Sequence, residues 1–146
     1  MSRVQLALNV DDVAAATAFY SRLLGVEPAK VRPGYANFAV ADPPLKLVLI
    51  ESPGAAGTLN HLGVEVESTS AVDAEHQRLA AAGLTVSDER GGTCCYATQD
   101  KFWVEGAPSG HRWEVYTVLA DSATFAGDGP CCGQVGDDVA TPASCC

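Results

Sequence analysis

Hydrophobic and polar residues alternate at the start of the chain, in Gln5–Val10, as they do in a strand with one buried face. Asp11 and Asp12 follow as possible helix N-caps, because short carboxylates can accept hydrogen bonds from the first backbone N–H groups of a helix. A helix is predicted over residues 14–24. It ends at Gly25, since glycine readily adopts the left-handed conformation found at helix C-termini.

The same order of elements recurs in the second half of the chain. His61–Val66 repeats the strand pattern 56 residues after Gln5, and a helix is predicted over residues 71–82, ending at Gly83. Each helix is followed by short apolar runs separated by proline and glycine, which predict strands. These runs are 35–40 and 45–50 in the first half, and 85–89, 94–98, 101–104 and 112–118 in the second. The sequence therefore predicts an α+β fold built from two tandem βαβββ modules.

The duplication divides the chain into a first module at about 1–52, a second module at about 59–120, and a tail over 121–146. The tail has four of the six cysteines, a single aromatic residue (Phe125), and no lysine or arginine. Such a segment cannot bury enough apolar surface to offset the entropy lost on ordering. We therefore expect one domain over 1–120 and a flexible tail rich in Cys, Gly and Asp.

Composition restricts the possible partners. The formal net charge is −9, which argues against nucleic acid or an anionic membrane surface as a partner, because both attract concentrated positive charge. No apolar run approaches the roughly 20 residues that span a bilayer. The first residues lack a secretory signal pattern, so we expect a cytoplasmic protein with reduced cysteines.

The six cysteines form three adjacent pairs: Cys94–Cys95, Cys131–Cys132 and Cys145–Cys146. Neighbouring cysteines do not easily form a disulfide with each other, but they can offer two soft sulfur atoms to one thiophilic centre, such as a soft metal ion or trivalent arsenic. On a regular strand adjacent side chains point to opposite faces, so shared binding at Cys94–Cys95 requires irregular backbone. The glycines that precede this pair would allow it.

Three further residues form a candidate metal site. If the two modules pair about a pseudo-twofold axis, Gln5 and His61 occupy equivalent places and can face one centre. Glu114 alternates with apolar neighbours on the last predicted strand, so it can point to the opposite face from them. An amide, an imidazole and a carboxylate together approach the 2-His-1-carboxylate set of non-heme iron oxygenases, which leaves coordination positions open.

These motifs carry a family resemblance. The duplicated modules resemble the vicinal oxygen chelate superfamily, which includes glyoxalase I, extradiol dioxygenases and bleomycin resistance proteins. Within that superfamily the chain resembles the organoarsenical carbon–arsenic lyases, a family that also includes cadmium-induced proteins. The residues that carry this narrower resemblance are Gln5, Asn60-His61-Leu62-Gly63-Val64, Thr93-Cys94-Cys95, Gln99-Asp100-Lys101 and Arg112-Trp113-Glu114-Val115-Tyr116.

The resemblance implies a cupped mixed sheet around a metal site and an Fe(II)-dependent dioxygenase that uses O₂ to cleave the carbon–arsenic bond of trivalent organoarsenicals. Methylarsenite would give arsenite, and trivalent aromatic arsenicals are further candidate substrates. It further implies that Gln5, His61 and Glu114 are catalytic metal ligands and that Cys94 and Cys95 bind arsenic.

Other assignments stay open at this point. Gln99, Asp100 and Lys101 form a possible lid or an ordinary solvated turn. The tail cysteines Cys131, Cys132, Cys145 and Cys146 could deliver a thiophilic ligand or be dispensable. The protein would act as a monomer or homodimer. The alternatives are a non-catalytic cadmium- or arsenic-binding protein, and another metalloenzyme of the same fold.

Overall fold

The structure is a computed structural model, and it describes residues 1–126. Each half of the chain has the predicted order of one strand, one helix and three strands, which confirms the α+β fold with two modules. The first module contains β1 (Arg3–Val10), α1 (Val13–Leu24), β2 (Lys30–Arg32), β3 (Tyr35–Val40) and β4 (Leu45–Glu51). The second contains β5 (Leu59–Glu65), α2 (Thr69–Ala81), β6 (Val86–Cys94), β7 (Ala97–Val104) and β8 (Trp113–Asp121).

Both helices begin and end close to where their capping residues predict. The Asp12 carboxylate accepts a hydrogen bond of 2.9 Å from the backbone N–H of Ala15 at the start of α1. Gly25 ends this helix with a φ of 68°, a left-handed conformation that other residues rarely adopt. Ser68 caps α2 in the same way, through a 3.2 Å bond from the N–H of Ala71.

The strands form one mixed sheet in the order β2-β3-β4-β1-β5-β8-β7-β6. Each first strand pairs in parallel with the last strand of its own module, and the modules join through the antiparallel pair β1–β5. In that pair Gln5 lies opposite Gly63 and Ala7 lies opposite His61. An antiparallel pair of equivalent strands relates the modules by the pseudo-twofold axis that the duplication predicts.

The two faces of the sheet differ in composition because side chains alternate along each strand. On one face, a core that includes Phe38 and Leu49 packs against α1, and a core that includes Phe102 and Val115 packs in the second module near α2. On the other face, side chains from β1, β3, β4, β5, β7 and β8 line a single cavity. The sheet is therefore curved around this cavity, with both helices on its outer side.

The predicted strand at 94–98 is wrong. Cys94 ends β6, Ala97 begins β7, and the two residues between them form the hairpin turn. Cys95 and Tyr96 have φ values of 55° and 61°, as the central residues of a type I′ turn do. The apolar character of this segment comes from burial of the turn, not from strand structure. The short strand β2 was not predicted from the sequence.

The expectation of a flexible tail from residue 121 is also wrong for residues 121–126. β8 continues to Asp121, and the backbone N–H of Cys95 donates a 2.7 Å hydrogen bond to the carbonyl of Phe125. The Phe125 ring packs against Tyr35 and Tyr96, which gives the segment an apolar anchor. The domain therefore extends to Ala126. The prediction for the rest of the tail, with Cys131, Cys132, Cys145 and Cys146, falls outside the described residues.

Among residues 1–126, no helix combines the length and apolar character that crossing a membrane requires.

Candidate functional site

The three predicted metal ligands lie side by side on the concave face of the sheet. The amide nitrogen of Gln5 is 3.0 Å from His61 Nε2 and 2.8 Å from Glu114 Oε1, and these last two atoms are 3.2 Å apart. Each residue is at most 4% exposed. The structure thus brings together one residue from β1, one from β5 and one from β8. We refer to Gln5, His61 and Glu114 as the triad.

A glycine allows this close approach. Gly63 lies in β5 between Gln5 and Glu114, which are its register partners on the neighbouring strands. A Cβ atom at this position would lie 3.0 Å from Glu114 Cγ and 3.5 Å from Gln5 Cβ. The missing side chain therefore leaves the space that the two polar side chains use to meet.

The His61 ring is held by a chain of hydrogen bonds that sequence reasoning missed. Its Nδ1 is 2.8 Å from Asn60 Oδ1, while the Asn60 amide nitrogen donates to Asn9 Oδ1 at 3.0 Å. Asn9 in turn donates to the hydroxyl of Thr58 at 2.9 Å. A carbonyl oxygen beside Nδ1 favours a proton on Nδ1. The lone pair of Nε2 is then directed at Gln5 and Glu114. This tautomer is the one that binds metal ions through Nε2.

The orientation of the Gln5 amide decides whether the triad can hold a cation. Its nitrogen faces His61 and Glu114, and its oxygen accepts a hydrogen bond from the Tyr116 hydroxyl. Rotating the amide by half a turn directs the oxygen at the other two residues, and the Tyr116 oxygen can then accept from the amide nitrogen. The donor set therefore fits a divalent cation.

The cation site would depend on this amide. Within residues 1–126, no three His, Cys, Asp or Glu side chains cluster as a possible metal site. Gln5 completes a set of three donors with His61 and Glu114.

Glu114 is ionised despite its burial. Burial alone would raise its pKa, but the charge of Lys101, the contact with His61 and the hydrogen bond from Gln5 lower the pKa to about 2. The Lys101 ammonium is 3.3 Å from Glu114 Oε2 and lies 5.0 Å from the centre of the Trp103 ring. One oxygen of Glu114 thus faces Gln5 and His61, and the other faces Lys101. The side chain is therefore available as a charged ligand.

The structure contradicts the possible lid at Gln99, Asp100 and Lys101. All three lie within β7, which is hydrogen-bonded to β6 on one side and β8 on the other. A strand paired on both sides cannot open without breaking the sheet. Gln99 lines the cavity, and Lys101 is 1% exposed. Asp100 faces outward and accepts hydrogen bonds of 2.7 Å from Thr69 and 2.8 Å from the N–H of Gly91, which lowers its pKa.

The adjacent cysteines of the domain can share one ligand. Cys94 and Cys95 have sulfur atoms 3.4 Å apart, too far for an S–S bond of about 2.05 Å. A soft ion with sulfur bonds of about 2.3 Å fits between them. The turn makes this possible, since Cys95 no longer follows the alternation of the strand. Binding through both thiolates requires that the two cysteines are reduced.

The triad and Cys95 line the same cavity, which has a volume of about 210 Å³. Tyr35 also lines it, and burial raises the pKa of this phenol, so it stays protonated at neutral pH. The cavity also contains Arg3, Lys46 and Glu65, whose role no sequence motif indicated. The arrangement can hold a divalent cation at the triad and a thiophilic atom at the cysteines, with one cavity between them.

Comparison with known proteins identifies the class. Residues 3–115 match the family described as the Glyoxalase/Bleomycin resistance protein/Dioxygenase superfamily, and the chain belongs to it. The solved structure of an extradiol ring-cleaving dioxygenase from B. fuscum superposes with a TM-score of 0.57 at 21% identity, covering 82% of this chain and 33% of that one. The Mn(II)-bound glyoxalase from Novosphingobium aromaticivorans gives a TM-score of 0.55 at 24% identity, covering 89% and 44%. These likenesses confirm the vicinal oxygen chelate fold.

Relatives of similar sequence belong to a smaller group within this superfamily. The chain is 66% identical to the cadmium-induced protein CadI of Mycobacterium tuberculosis, over all of this chain and 93% of that protein. It is 54% identical to the trivalent organoarsenical cleaving enzyme of Thermomonospora curvata, with both chains covered completely. A trivalent organoarsenical cleaving enzyme of a Bacillus species is 38% identical over all of this chain and 91% of that protein. Both relationships that the sequence motifs predict are therefore confirmed.

Proposed function

We propose that this protein is an Fe(II)-dependent dioxygenase that cleaves the carbon–arsenic bond of trivalent organoarsenicals and so detoxifies them. One observation carries the proposal: the triad and a member of the adjacent cysteine pair line a single cavity. The relatives named as trivalent organoarsenical cleaving enzymes support the substrate class. Because one chain supplies all these residues, the site is compatible with a monomer or a homodimer.

The residues have separate tasks. Gln5, His61 and Glu114 would hold Fe(II), which supplies the redox chemistry with O₂ when it is bound. Cys94 and Cys95 would bind arsenic as thiolates and place the carbon–arsenic bond at the cavity, so the protein contributes by positioning. Asn60 would keep the His61 ring in the tautomer that binds metal, and Lys101 would keep Glu114 ionised.

The overall reaction balances for methylarsenite. Methylarsenite and one O₂ contain the same atoms as formaldehyde and arsenous acid. The carbon is oxidised by four electrons, O₂ is reduced by four electrons, and arsenic stays trivalent. A trivalent substrate is required because arsenic must accept sulfur ligands. The proposed partner is a small-molecule substrate, and the reaction as proposed involves neither nucleic acid nor a membrane. Because the thiols must be reduced, we expect the reaction to take place in the cytoplasm.

Anaerobic reconstitution tests the proposal. The full chain is reduced with a phosphine, loaded with Fe(II), given methylarsenite and exposed to air, and arsenite is measured by chromatography with arsenic-specific detection. We expect one O₂ consumed for each arsenite released, and none released under argon. Absence of oxygen-dependent arsenite release with Fe, Mn, Co or Ni would reject the assignment.

Two variants separate the metal from the arsenic site. Cys94→Ser should lose methylarsenite, measured as arsenic retained after gel filtration, while keeping its Fe(II). His61→Ala should keep the arsenical and lose Fe(II). Arg22→Gln, an exposed change on α1, should retain both and serves as the control. Full turnover by Cys94→Ser would show that thiol chelation is not part of the reaction.

A second function has support from the relatives named as cadmium-induced proteins. In that case the protein would bind soft metal ions through its cysteines without catalysis. Titration of the reduced chain with Cd(II) distinguishes the two functions. Several ions bound per chain, with no O₂ consumed in the methylarsenite assay, would favour the binding protein.

A further inference from the structure

Besides Lys30, which is paired with Asp121, the cavity contains three charged side chains that the proposed reaction does not use. Arg3 Nε is 2.7 Å from Glu65 Oε2, and Lys46 Nζ is 3.7 Å from the other oxygen of the same carboxylate. Lys46 is the more enclosed cation, with its side chain 12% exposed against 27% for Arg3. All three residues line the cavity together with the triad.

These charges do not balance. Two cations share one carboxylate, and the Arg3–Glu65 contact is the shorter hydrogen bond. The Glu65 oxygen that faces Lys46 is beyond hydrogen-bond distance. The other contact of Lys46 is with the face of the Tyr116 ring, whose centre is 5.0 Å from Nζ. A lysine ammonium carries three N–H donors, so this one retains capacity for an acceptor in the cavity.

Lys46 lies directly beside the proposed metal site. It is the register partner of Gln5 on the adjacent strand, and neighbouring strands are about 4.8 Å apart. Burial lowers the pKa of Lys46, and Glu65, Glu114 and Cys95 partly oppose that shift, which shows that all three lie within electrostatic reach. Lys46 and Cys95 line the same cavity, so a substrate held by Cys95 would extend its organic group into the space that Lys46 borders.

The cavity is also larger than the smallest proposed substrate, methylarsenite, would fill. Its volume of about 210 Å³ is far above the roughly 10–15 Å³ that one water molecule needs. A methyl group on arsenic takes little of this space. A substituted aromatic ring would fill more of the cavity and could carry an acceptor towards Lys46.

We propose that Lys46, assisted by Arg3, forms a subsite for an anionic substituent on the organic group of the substrate. The subsite selects trivalent aromatic arsenicals with an acidic ring group over unsubstituted ones. This inference rests on the proposed function, since it assigns the substrate class of the same site. Glu65 limits the selectivity because it already neutralises one of the two cations.

Equilibrium binding of phenylarsenite and its 4-carboxy derivative to the reduced full chain tests the subsite. The ratio of the two dissociation constants is the readout, because effects on folding or on arsenic binding cancel in it. We expect wild type to prefer the carboxylated compound by about tenfold or more, as for a hydrogen bond between charged groups. Lys46→Met should remove this preference and Lys46→Arg should keep most of it. Glu65→Gln should increase it by releasing both cations.

Arg22→Gln is the matched control, because it removes one positive charge outside the cavity and should leave the ratio unchanged. A wild-type ratio near one, or an unchanged ratio in Lys46→Met, would overturn the subsite. Should Lys46→Met not fold, Lys46→Gln replaces it, and the wild-type ratio is decisive without either. The arsenite release assay is separate: no release from any arsenical rejects the proposed function, while the binding ratio still tests Lys46.

Discussion

Replacing Gly63 by alanine tests whether the space in β5 positions the triad. The added Cβ would lie 3.0 Å from Glu114 Cγ, whereas carbon atoms prefer separations of about 3.5–4.0 Å. Glu114 cannot move away freely, because Lys101 is 3.3 Å from one of its oxygens and His61 is 3.2 Å from the other. The strain must therefore shift the carboxylate relative to its neighbours.

We expect Gly63→Ala to cause a modest loss of stability and a larger loss of metal affinity. Overpacking costs about 1–3 kcal/mol, while alanine is favoured over glycine in a strand by about 0.5–1 kcal/mol, so the free energy of unfolding should fall by no more than about 2.5 kcal/mol. Metal sites tolerate ligand displacements of only about 0.2 Å, and changes beside ligands typically weaken binding about 10–100-fold. Metal affinity should therefore fall by at least about tenfold.

Titration with Mn(II), followed by electron paramagnetic resonance, measures the affinity, and urea unfolding measures the stability. Gly92→Ala is the matched control in β6. Its nearest atom, at 2.8 Å, is a carboxylate oxygen of Glu89, a residue outside the triad that accepts a hydrogen bond from Trp103. We expect near-normal metal affinity in this control. Wild-type affinity in Gly63→Ala would refute the reasoning, since the glycine would then have no part in bringing the ligands together.

Three further predictions concern the surroundings of the site. Asn60→Leu should weaken Mn(II) binding about 10–100-fold, measured by the same titration, because the His61 tautomer is no longer fixed. Asp100→Asn should lower the free energy of unfolding in urea by about 1 kcal/mol at pH 7. Because its folded pKa is below the ordinary 3.8, that difference should vanish as the pH falls through the folded value. Ending the reduced chain after residue 120 should lower its melting temperature, whereas ending it after residue 126 should not, since only the shorter chain loses Phe125.

The duplicated pattern made much of the fold predictable. The alternation in Gln5–Val10 and His61–Val66 indicated which side chains share a face, because strand side chains have a period of two. Equivalent positions in two modules then implied a common centre for Gln5 and His61. The structure places them 3.0 Å apart. Their role as ligands stays a prediction.

Other features depend on contacts that local sequence does not encode. Gln99, Asp100 and Lys101 are polar and adjacent, which is typical of an exposed turn, yet Lys101 is buried against Glu114 and Trp103. Phe125 lies in a segment with few apolar residues, and only the nearby aromatic rings explain its placement. Glu114 is distant in sequence from Lys101, and Tyr35 is distant from Phe125, so no local pattern could have revealed these contacts.

The pseudo-twofold relation also identifies the residue that takes the place of a fourth metal ligand. Glu114 lies opposite Gly63, and the equivalent pair in the first module is Val48 opposite Ala7. Val48 is 3% exposed and lines the cavity, so a branched hydrocarbon stands where strict symmetry would place a second carboxylate. The second module thus supplies two of the three candidate ligands, His61 and Glu114, and the first module supplies only the amide of Gln5. That loss of symmetry would leave room for molecules from solution on the side of the first module.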